Sequence, residues 1–145
     1  MKYLFKKVCI ASDHAGYKNK EIIKDFLVEK NVSIIDLGPP NENSVDYPDY
    51  AKKVSKRVKS KKSDIGILVC GSGTGMAISA NKIKGIRAAV CYNTQSTVLS
   101  RQHNDANIIA LGSRLTKKKM SLKLVSIFLK TKFEAGRHLR RVKKI

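Results

Sequence analysis

Residues 65–76, Ile-Gly-Ile-Leu-Val-Cys-Gly-Ser-Gly-Thr-Gly-Met, join a continuous apolar run to a glycine-rich turn and decide the fold class. An apolar run without alternation is typical of a strand that a sheet buries on both faces. The alternating glycines allow a sharp turn into a following helix, predicted from about residue 76 to 82. This strand–turn–helix unit predicts a parallel sheet covered by helices.

The same order of elements repeats along the chain. Further short apolar runs predict strands at residues 8–12, 32–37, 88–91 and 108–111. Apolar residues at helical spacing predict further helices at residues 18–30, from Pro48 onward, at 94–103 and around 122–129. The pattern therefore predicts one α/β domain over residues 1–145, a three-layer α/β/α Rossmann-like fold with a five-stranded parallel sheet. Residues 134–145 form a basic tail with little apolar periodicity.

The composition of the 145-residue chain limits its class. Hydrophobic residues make up 42% of it, enough for a core and too many for a disordered chain. No apolar run approaches the roughly 18 residues of a membrane span, and the charged N-terminus lacks the apolar run of a signal peptide. Three widely spaced cysteines indicate reduced thiols rather than a disulfide framework. We therefore expect a cytoplasmic protein with no membrane partner.

The net charge of +19, from 30 Lys+Arg against 11 Asp+Glu, raises the question of a nucleic-acid partner. Lysines are scattered through nearly every helical segment, with clusters at residues 59–62, 117–119 and the C-terminus. They do not alternate with aromatic residues, as a base-stacking surface would require. The pattern favours a solvated lysine-rich surface over a nucleic-acid-binding module. Its positive field would still attract small anionic substrates.

The glycine-rich turn is the strongest local signal for a binding site. Its backbone N–H groups, with a helix N-terminus behind them, suit an anion. The turn is not a P-loop, because the Gly-Lys-Ser/Thr ending is absent, and its glycine spacing differs from that of the dinucleotide-binding fingerprint. From the turn alone, anion binding and a purely steric need for glycine are equally supported.

Cys70 ends the predicted strand immediately before this turn. A thiol beside a helix N-terminus ionises more readily, because the helix stabilises the thiolate. Cys9 and Cys91 lie within apolar runs, where cysteine is ordinarily a buried apolar residue. Cys70 is therefore a candidate functional thiol, and the roles of base, nucleophile and buried thiol stay open for it.

Histidines and arginines supply the remaining candidates. Each of the three histidines stands beside polar or charged residues, but none has the paired spacing of a zinc site, and no metal is predicted. Arg114 follows the fifth predicted strand, and Arg137, Arg140 and Arg141 surround His138 in the tail. The planar guanidinium suits phosphate better than an ammonium does. On charge alone, a solvated basic tail is the simpler interpretation.

Together these motifs resemble ribose-5-phosphate isomerase of the B type, in the family that also contains galactose-6-phosphate and allose-6-phosphate isomerases. The matching segments are distributed in family order over nearly the whole chain. They are Ser12-Asp13-His14-Ala15-Gly16, Asp46-Tyr47-Pro48, residues 70–75 with 79–82, Gly85-Ile86-Arg87-Ala88-Ala89, residues 100–107, Leu111-Gly112-Ser113-Arg114, and Gly136-Arg137-His138 with Arg141-Val142. A single segment would be weak evidence, whereas the set is specific.

The resemblance implies a role for each candidate. Cys70 corresponds to the base that moves a proton between C1 and C2, and His103 to the acid that helps to open the furanose ring. The backbone N–H groups of the turn would bind the enediolate oxygens; its residues are Gly71, Ser72, Gly73, Thr74 and Gly75. The implied substrate-binding positions are Asp13, His14 and Asn104, with Tyr47 lining the pocket. The implied phosphate-binding positions are Arg114, Arg137 and Arg141, together with the adjacent His138.

The resemblance also implies an assembly and a topology. Family members are dimers or tetramers with sites built from two subunits, so we expect a homodimer or homotetramer. The strand order is expected to be 2-1-3-5-4. One branch of the family replaces the cysteine base with a glutamate in the helix after the turn, but here that helix begins Met76-Ala77-Ile78. The chain therefore resembles the cysteine branch that acts on pentoses.

The expected activity is aldose–ketose isomerisation of ribose 5-phosphate and ribulose 5-phosphate, a step of the pentose phosphate pathway. Fixed donors would stabilise the enediolate, and arginines would hold the phosphate. Because the 1,2-shift is redox-neutral, no nicotinamide or other cofactor is expected. Three alternatives stay open: the same chemistry on a hexose 6-phosphate such as allose 6-phosphate, a basic nucleic-acid-binding module, and a thiol-dependent hydrolase using Cys70 and His103.

Overall fold

The structure is a computed structural model that describes residues 2–145. Within that range, five strands alternate with helices, and a sixth helix ends the chain. The strands are β1 (Lys7–Ser12), β2 (Ser33–Asp36), β3 (Ile65–Cys70), β4 (Ala88–Val90) and β5 (Ile108–Gly112). The helices are α1 (Tyr17–Glu29), α2 (Tyr47–Lys59), α3 (Thr74–Asn81), α4 (Thr94–Gln102), α5 (Lys118–Lys130) and α6 (Gly136–Val142).

The strands form one parallel sheet in the order β2-β1-β3-β5-β4. This confirms both the five-stranded parallel sheet and the strand order that the family resemblance implied. Strand β3, buried along its whole length, lies between β1 and β5, with Ala11 opposite Leu68 and Cys70 opposite Gly112. The carboxyl ends of these three strands therefore meet at one edge of the sheet.

Helices cover both faces of the sheet, as the three-layer prediction requires. Alternate side chains of β3 point to opposite faces, so Ile67 enters one core and Leu68 the other. The first core contains buried residues of α1 and α5 such as Leu27 and Phe128, and the second contains residues of α2 and α3 such as Met76. No helix in residues 2–145 is both long and apolar enough to cross a bilayer.

The structure differs from the sequence-based expectation in three places. Strand β2 is mostly exposed rather than buried, because it is an edge strand with a neighbour on one side only. Helix α3 begins at Thr74, two residues earlier than predicted. The tail contains helix α6, which the sequence did not reveal because His138 is its only buried residue and gives no apolar periodicity.

Candidate active site

Cys70 lies at the end of β3 and is 5% exposed. The N–H of Gly73 donates a hydrogen bond to the Cys70 sulfur at 3.1 Å, and helix α3 begins at the next residue. Gly73 has φ +80°, a left-handed conformation that favours glycine. The turn therefore folds back on the thiol and directs a backbone dipole at it. Such a contact stabilises a thiolate.

Close contacts explain two glycines around the turn. A Cβ at Gly112 would lie 2.7 Å from the backbone of Ser72. Only glycine therefore lets the end of β5 pack this closely against the turn. A Cβ at Gly75 would lie 2.8 Å from the ring of Tyr47, the first residue of α2. The Tyr47 ring thus packs directly over the start of α3, beside the thiol.

The residues after β1 are also fixed at this edge. A carboxylate oxygen of Asp13 accepts a hydrogen bond from the N–H of Gly16 at 2.9 Å. Nδ1 of His14 accepts one from the N–H of Val45 at 3.3 Å, so the neutral ring carries its proton on Nε2 and can donate there. His14 thereby connects the loop after β1 to the loop that leads to α2.

These elements enclose a cleft of about 280 Å³. It is lined by Asp13, Tyr47, Cys70, Gly71, Ser72, Gly75, Arg114 and Leu115. The N–H of Arg114 donates to the carbonyl oxygen of Gly71, and this bond fixes the backbone that carries the guanidinium. The cleft thus combines a thiol, a carboxylate and a cation. Sequence reasoning missed Leu115, an exposed residue of this lining. Its position directly after Arg114 is the one sequence feature that could have indicated a place in the site.

The remaining candidates form a second cleft, of about 370 Å³. It is lined by His103, Asn104, Arg137, His138, Arg141, Val142 and Ile145. His103 follows the last turn of α4, and Asn104 precedes β5. Helices in this fold run opposite to the strands, so the C-terminal end of a helix lies at the amino edge of the sheet. The second cleft is therefore at the amino edge.

Cys70 and His103 are thus separated within one chain. Cys70 is opposite Gly112, the last residue of β5, whereas His103 precedes the first residue of that strand. The length of β5, roughly 13 Å at about 3.3 Å per residue, lies between the two positions. The sequence-predicted site is therefore two half-sites at opposite edges of the sheet, and the two clefts share no lining residue.

Two histidines are in contact in the second cleft. The rings of His103 and His138 stack with their centroids 4.2 Å apart and their planes at 16°. Nε2 of His138 lies 3.7 Å from a carboxylate oxygen of Glu134. Burial, the neighbouring His103 and the charge of Arg137 lower the pKa of His138. Glu134 precedes α6 and lies four residues before His138, a spacing that sequence reasoning missed.

The same three side chains carry donor atoms suited to a metal. Donor atoms of His103, Glu134 and His138 lie within 4.8 Å of one another. A metal binds in the plane of an imidazole ring, along the nitrogen lone pair. The planes of two rings stacked at 16° meet only well beyond metal–ligand distance, so one ion cannot lie in both planes. The arrangement therefore fits ring-on-ring packing better than metal coordination.

A buried arginine supports the turn that carries His103 and Asn104. Arg101 is almost fully buried, and it donates to the carbonyl oxygen of Thr131 and to the carboxylate of Asp105. Asp105 also pairs with Arg87. This network joins the ends of α4 and α5. The Arg101–Asp105 spacing of four residues is the sequence signal for this pair.

The other two cysteines are buried, as predicted. Burial raises the pKa of Cys9 to about 11 and also raises that of Cys91. None of the three sulfurs is paired in a disulfide. Cys9 and Cys91 are therefore structural thiols, and Cys70 is the one that lines a cleft.

Comparison with known proteins shows similarity along the whole chain. A family profile described as Ribose/Galactose Isomerase matches residues 8–145. Ribose-5-phosphate isomerase B of Escherichia coli is 44% identical over 140 residues, which cover 97% of this chain and 94% of that protein.

Solved structures of related proteins have the same fold. Ribose-5-phosphate isomerase B from Clostridium thermocellum has a TM-score of 0.94 at 49% identity, covering 95% of this chain and 93% of that one. The enzyme from Mycoplasma genitalium, solved with bound ribulose-5-phosphate, has a TM-score of 0.90 at 43% identity, covering 94% and 91%. The similarity extends over nearly the full length of each pair.

Proposed function

The chain belongs to the ribose/galactose isomerase family and is a sugar-phosphate isomerase of the ribose-5-phosphate isomerase B type, and we propose that it interconverts ribose 5-phosphate and ribulose 5-phosphate with Cys70 as the base. One observation carries the assignment of the base. Cys70 lines a cleft together with Asp13 and Arg114, and its sulfur accepts a hydrogen bond from the N–H of Gly73.

The chemistry follows from that placement. The Cys70 thiolate takes the proton from C2 of the open-chain aldose, and the electrons of that C–H bond form the C1–C2 double bond of an enediolate. The thiol then returns a proton to C1, and a proton moves from O2 to O1. Backbone N–H groups of residues 71–75 stabilise the enediolate oxygens, because fixed donors cost no reorganisation as charge develops.

The second cleft supplies what the first one lacks. In this proposal His103 protonates the ring oxygen of the furanose, and Asn104 binds the sugar. Arg137 and Arg141 bind the phosphate dianion together with Arg114 from the first cleft. His14 donates from Nε2 to the substrate, and Tyr47 closes the pocket over it.

Because the two half-sites lie at opposite edges of the sheet, this mechanism requires a second copy of the chain. We propose a homodimer in which the amino-edge cleft of one subunit covers the carboxyl-edge cleft of the other. A two-fold axis then generates two complete sites from one self-complementary contact. The tail contributes to the site through α6, which carries Arg137 and Arg141. The cytoplasmic location stays a prediction.

Proton exchange in deuterated water tests the base. The enzyme is expected to convert ribose 5-phosphate to ribulose 5-phosphate and to place solvent deuterium on C1, and Cys70→Ala is expected to lose both activities. A Cys70→Ala enzyme with normal turnover would exclude Cys70 as the base. Rates on ribose 5-phosphate and allose 6-phosphate, measured side by side, decide between the pentose and the hexose assignment.

A further inference from the structure

We infer that His138 is a positioning residue, whose ring fixes the plane of the His103 imidazole, and that it is not a phosphate ligand. This inference rests on the proposed function of His103 as the ring-opening acid. It replaces the phosphate-binding role that the sequence resemblance implied for His138.

The first support is the contact itself. The two rings stack at a centroid distance of 4.2 Å and an angle of 16°, so one face of the His103 ring is covered by His138. His138 is 8% exposed, although every other residue of α6 is exposed or only partly buried. His138 lines the cleft, but its Nε2 lies 3.7 Å from a Glu134 carboxylate oxygen, whereas Arg137 and Arg141 are exposed cations suited to a solvated phosphate.

The second support is the way the tail is attached. The N–H of Glu134 donates to the carbonyl oxygen of Gln102 at 3.1 Å, which joins the segment before α6 to the end of α4. The Glu134 carboxylate then lies 3.7 Å from Nε2 of His138. The tail is therefore tied to the residue before His103, and this tie places the His138 ring on the His103 ring.

The third support is the charge around the rings. Burial lowers the pKa of His138 most; of the groups that face it, His103, Arg137 and Arg141 lower that pKa further and Glu134 raises it. A neutral His138 adds no positive charge for a phosphate. It can, however, lie against a protonated His103, whereas two stacked cations would repel each other.

The consequence concerns the direction of the proton transfer. An imidazole donates along its N–H bond, in the plane of the ring, and rotation about its last side-chain torsion swings that bond away from the ring oxygen. Covering one face of the ring restricts this rotation. The loss of such alignment costs on the order of 10²-fold in rate for a displacement of about 1 Å.

Two variants and two reactions test the inference. His138→Ala removes the stacking ring, and His138→Phe keeps a flat ring without the nitrogens. Isomerisation of ribose 5-phosphate requires ring opening, whereas uptake of solvent deuterium at C1 of ribulose 5-phosphate requires only the base. The uptake reaction therefore also reports whether the variant is folded and its site assembled.

His138→Ala is expected to lower kcat for ribose 5-phosphate by on the order of 10²-fold. Its KM and its deuterium uptake should be near those of the wild type, and His138→Phe should recover most of the lost kcat. Arg137→Ala is the matched control from the same helix, and it should raise KM in both reactions. A KM increase in both reactions for both His138 variants would show phosphate binding and overturn the inference.

Two other outcomes are decisive. A His138→Phe enzyme as slow as His138→Ala, with normal deuterium uptake, would show that the nitrogens matter and not the ring stack, which also overturns the inference. A wild-type enzyme that leaves ribose 5-phosphate unchanged would instead refute the proposed function on which the inference rests.

Discussion

The backbone N–H of Gly73 donates a hydrogen bond to the sulfur of Cys70 over 3.1 Å. This contact distinguishes Cys70 from Cys9 and Cys91, whose thiols instead donate to backbone carbonyl oxygens. It joins the residue proposed as base to the turn proposed to bind the enediolate. Both roles therefore depend on the conformation of a few residues.

Alkylation with iodoacetamide near neutral pH is expected to modify Cys70 first and to abolish activity. Burial raises the pKa of Cys9 to about 11 and also raises that of Cys91, which favours the protonated thiol at both positions, and both are more deeply buried than Cys70. Mass spectrometry of peptides from partly modified enzyme identifies the site. Modification of Cys91 before Cys70 would contradict the assignment of Cys70 as the reactive thiol.

Mixing two inactive variants is expected to restore activity. Cys70→Ala and His103→Ala subunits, produced together, should form dimers that contain one intact site in each mixed pair. Random pairing makes half of the dimers mixed, with one of two sites intact, so about a quarter of the wild-type activity should return. Turnover of ribose 5-phosphate by the mixture is the measurement. Activity no higher than that of either variant alone would refute a site shared between subunits.

Gly75→Ala is expected to lower activity because its Cβ would lie 2.8 Å from the Tyr47 ring and would displace that ring. The effect should depend on Tyr47. In a Tyr47→Ala background the space is free, so the glycine substitution should add little to the loss. A double-mutant cycle on kcat/KM measures this coupling. Fully additive losses would show that Gly75 acts without Tyr47.

Asp36→Asn is expected to destabilise the fold by on the order of 3 kcal/mol, because it leaves a buried ammonium without its nearest carboxylate. The Lys20 side chain is 0% exposed and lies 2.7 Å from Asp36, although Glu21 remains at 3.2 Å. The matched control is the surface pair Lys18–Glu42, with Glu42→Gln expected to cost less than about 1 kcal/mol. Urea unfolding at neutral pH measures the free energy of unfolding of both variants. Equal losses in Asp36→Asn and Glu42→Gln would contradict the prediction.

The cost of Asp36→Asn is also expected to depend on pH. Although burial alone would raise the pKa of Asp36, hydrogen bonds from Lys20, Lys24 and Gly38 outweigh it and hold that pKa below its ordinary value. A carboxyl group whose pKa is lower in the folded than in the unfolded state stabilises the fold at pH values above the unfolded-state pKa, about 3.9. This stabilisation is lost as the pH falls through the folded-state pKa. The difference in unfolding free energy between wild type and variant should therefore shrink in acid. A difference that is constant down to pH 3 would contradict the prediction.

Much of the fold could be predicted because its signals are local. The continuous apolar run of β3 and the glycines after it identify a buried strand and a turn without knowledge of any partner. Cys70 was recognised as a candidate because its position beside a helix N-terminus is itself a local property. The helical tail lacks a local signal, because α6 is anchored by the bond from Glu134, just before it, to Gln102 and by the stacking of His138 on His103, and not by an apolar pattern of its own.

The sequence by itself determined the α/β class, the parallel sheet and the chemical character of the residues around Cys70, since these follow from the period of apolar residues and from what glycine and cysteine can do. Only the tertiary structure decided which residues meet. It placed His103 at the edge of the sheet opposite Cys70, stacked His138 on His103, and buried the ammonium of Lys20 against Asp36. The physical reason is that such contacts join residues distant along the chain, and their geometry is fixed by strand order and helix packing rather than by local sequence.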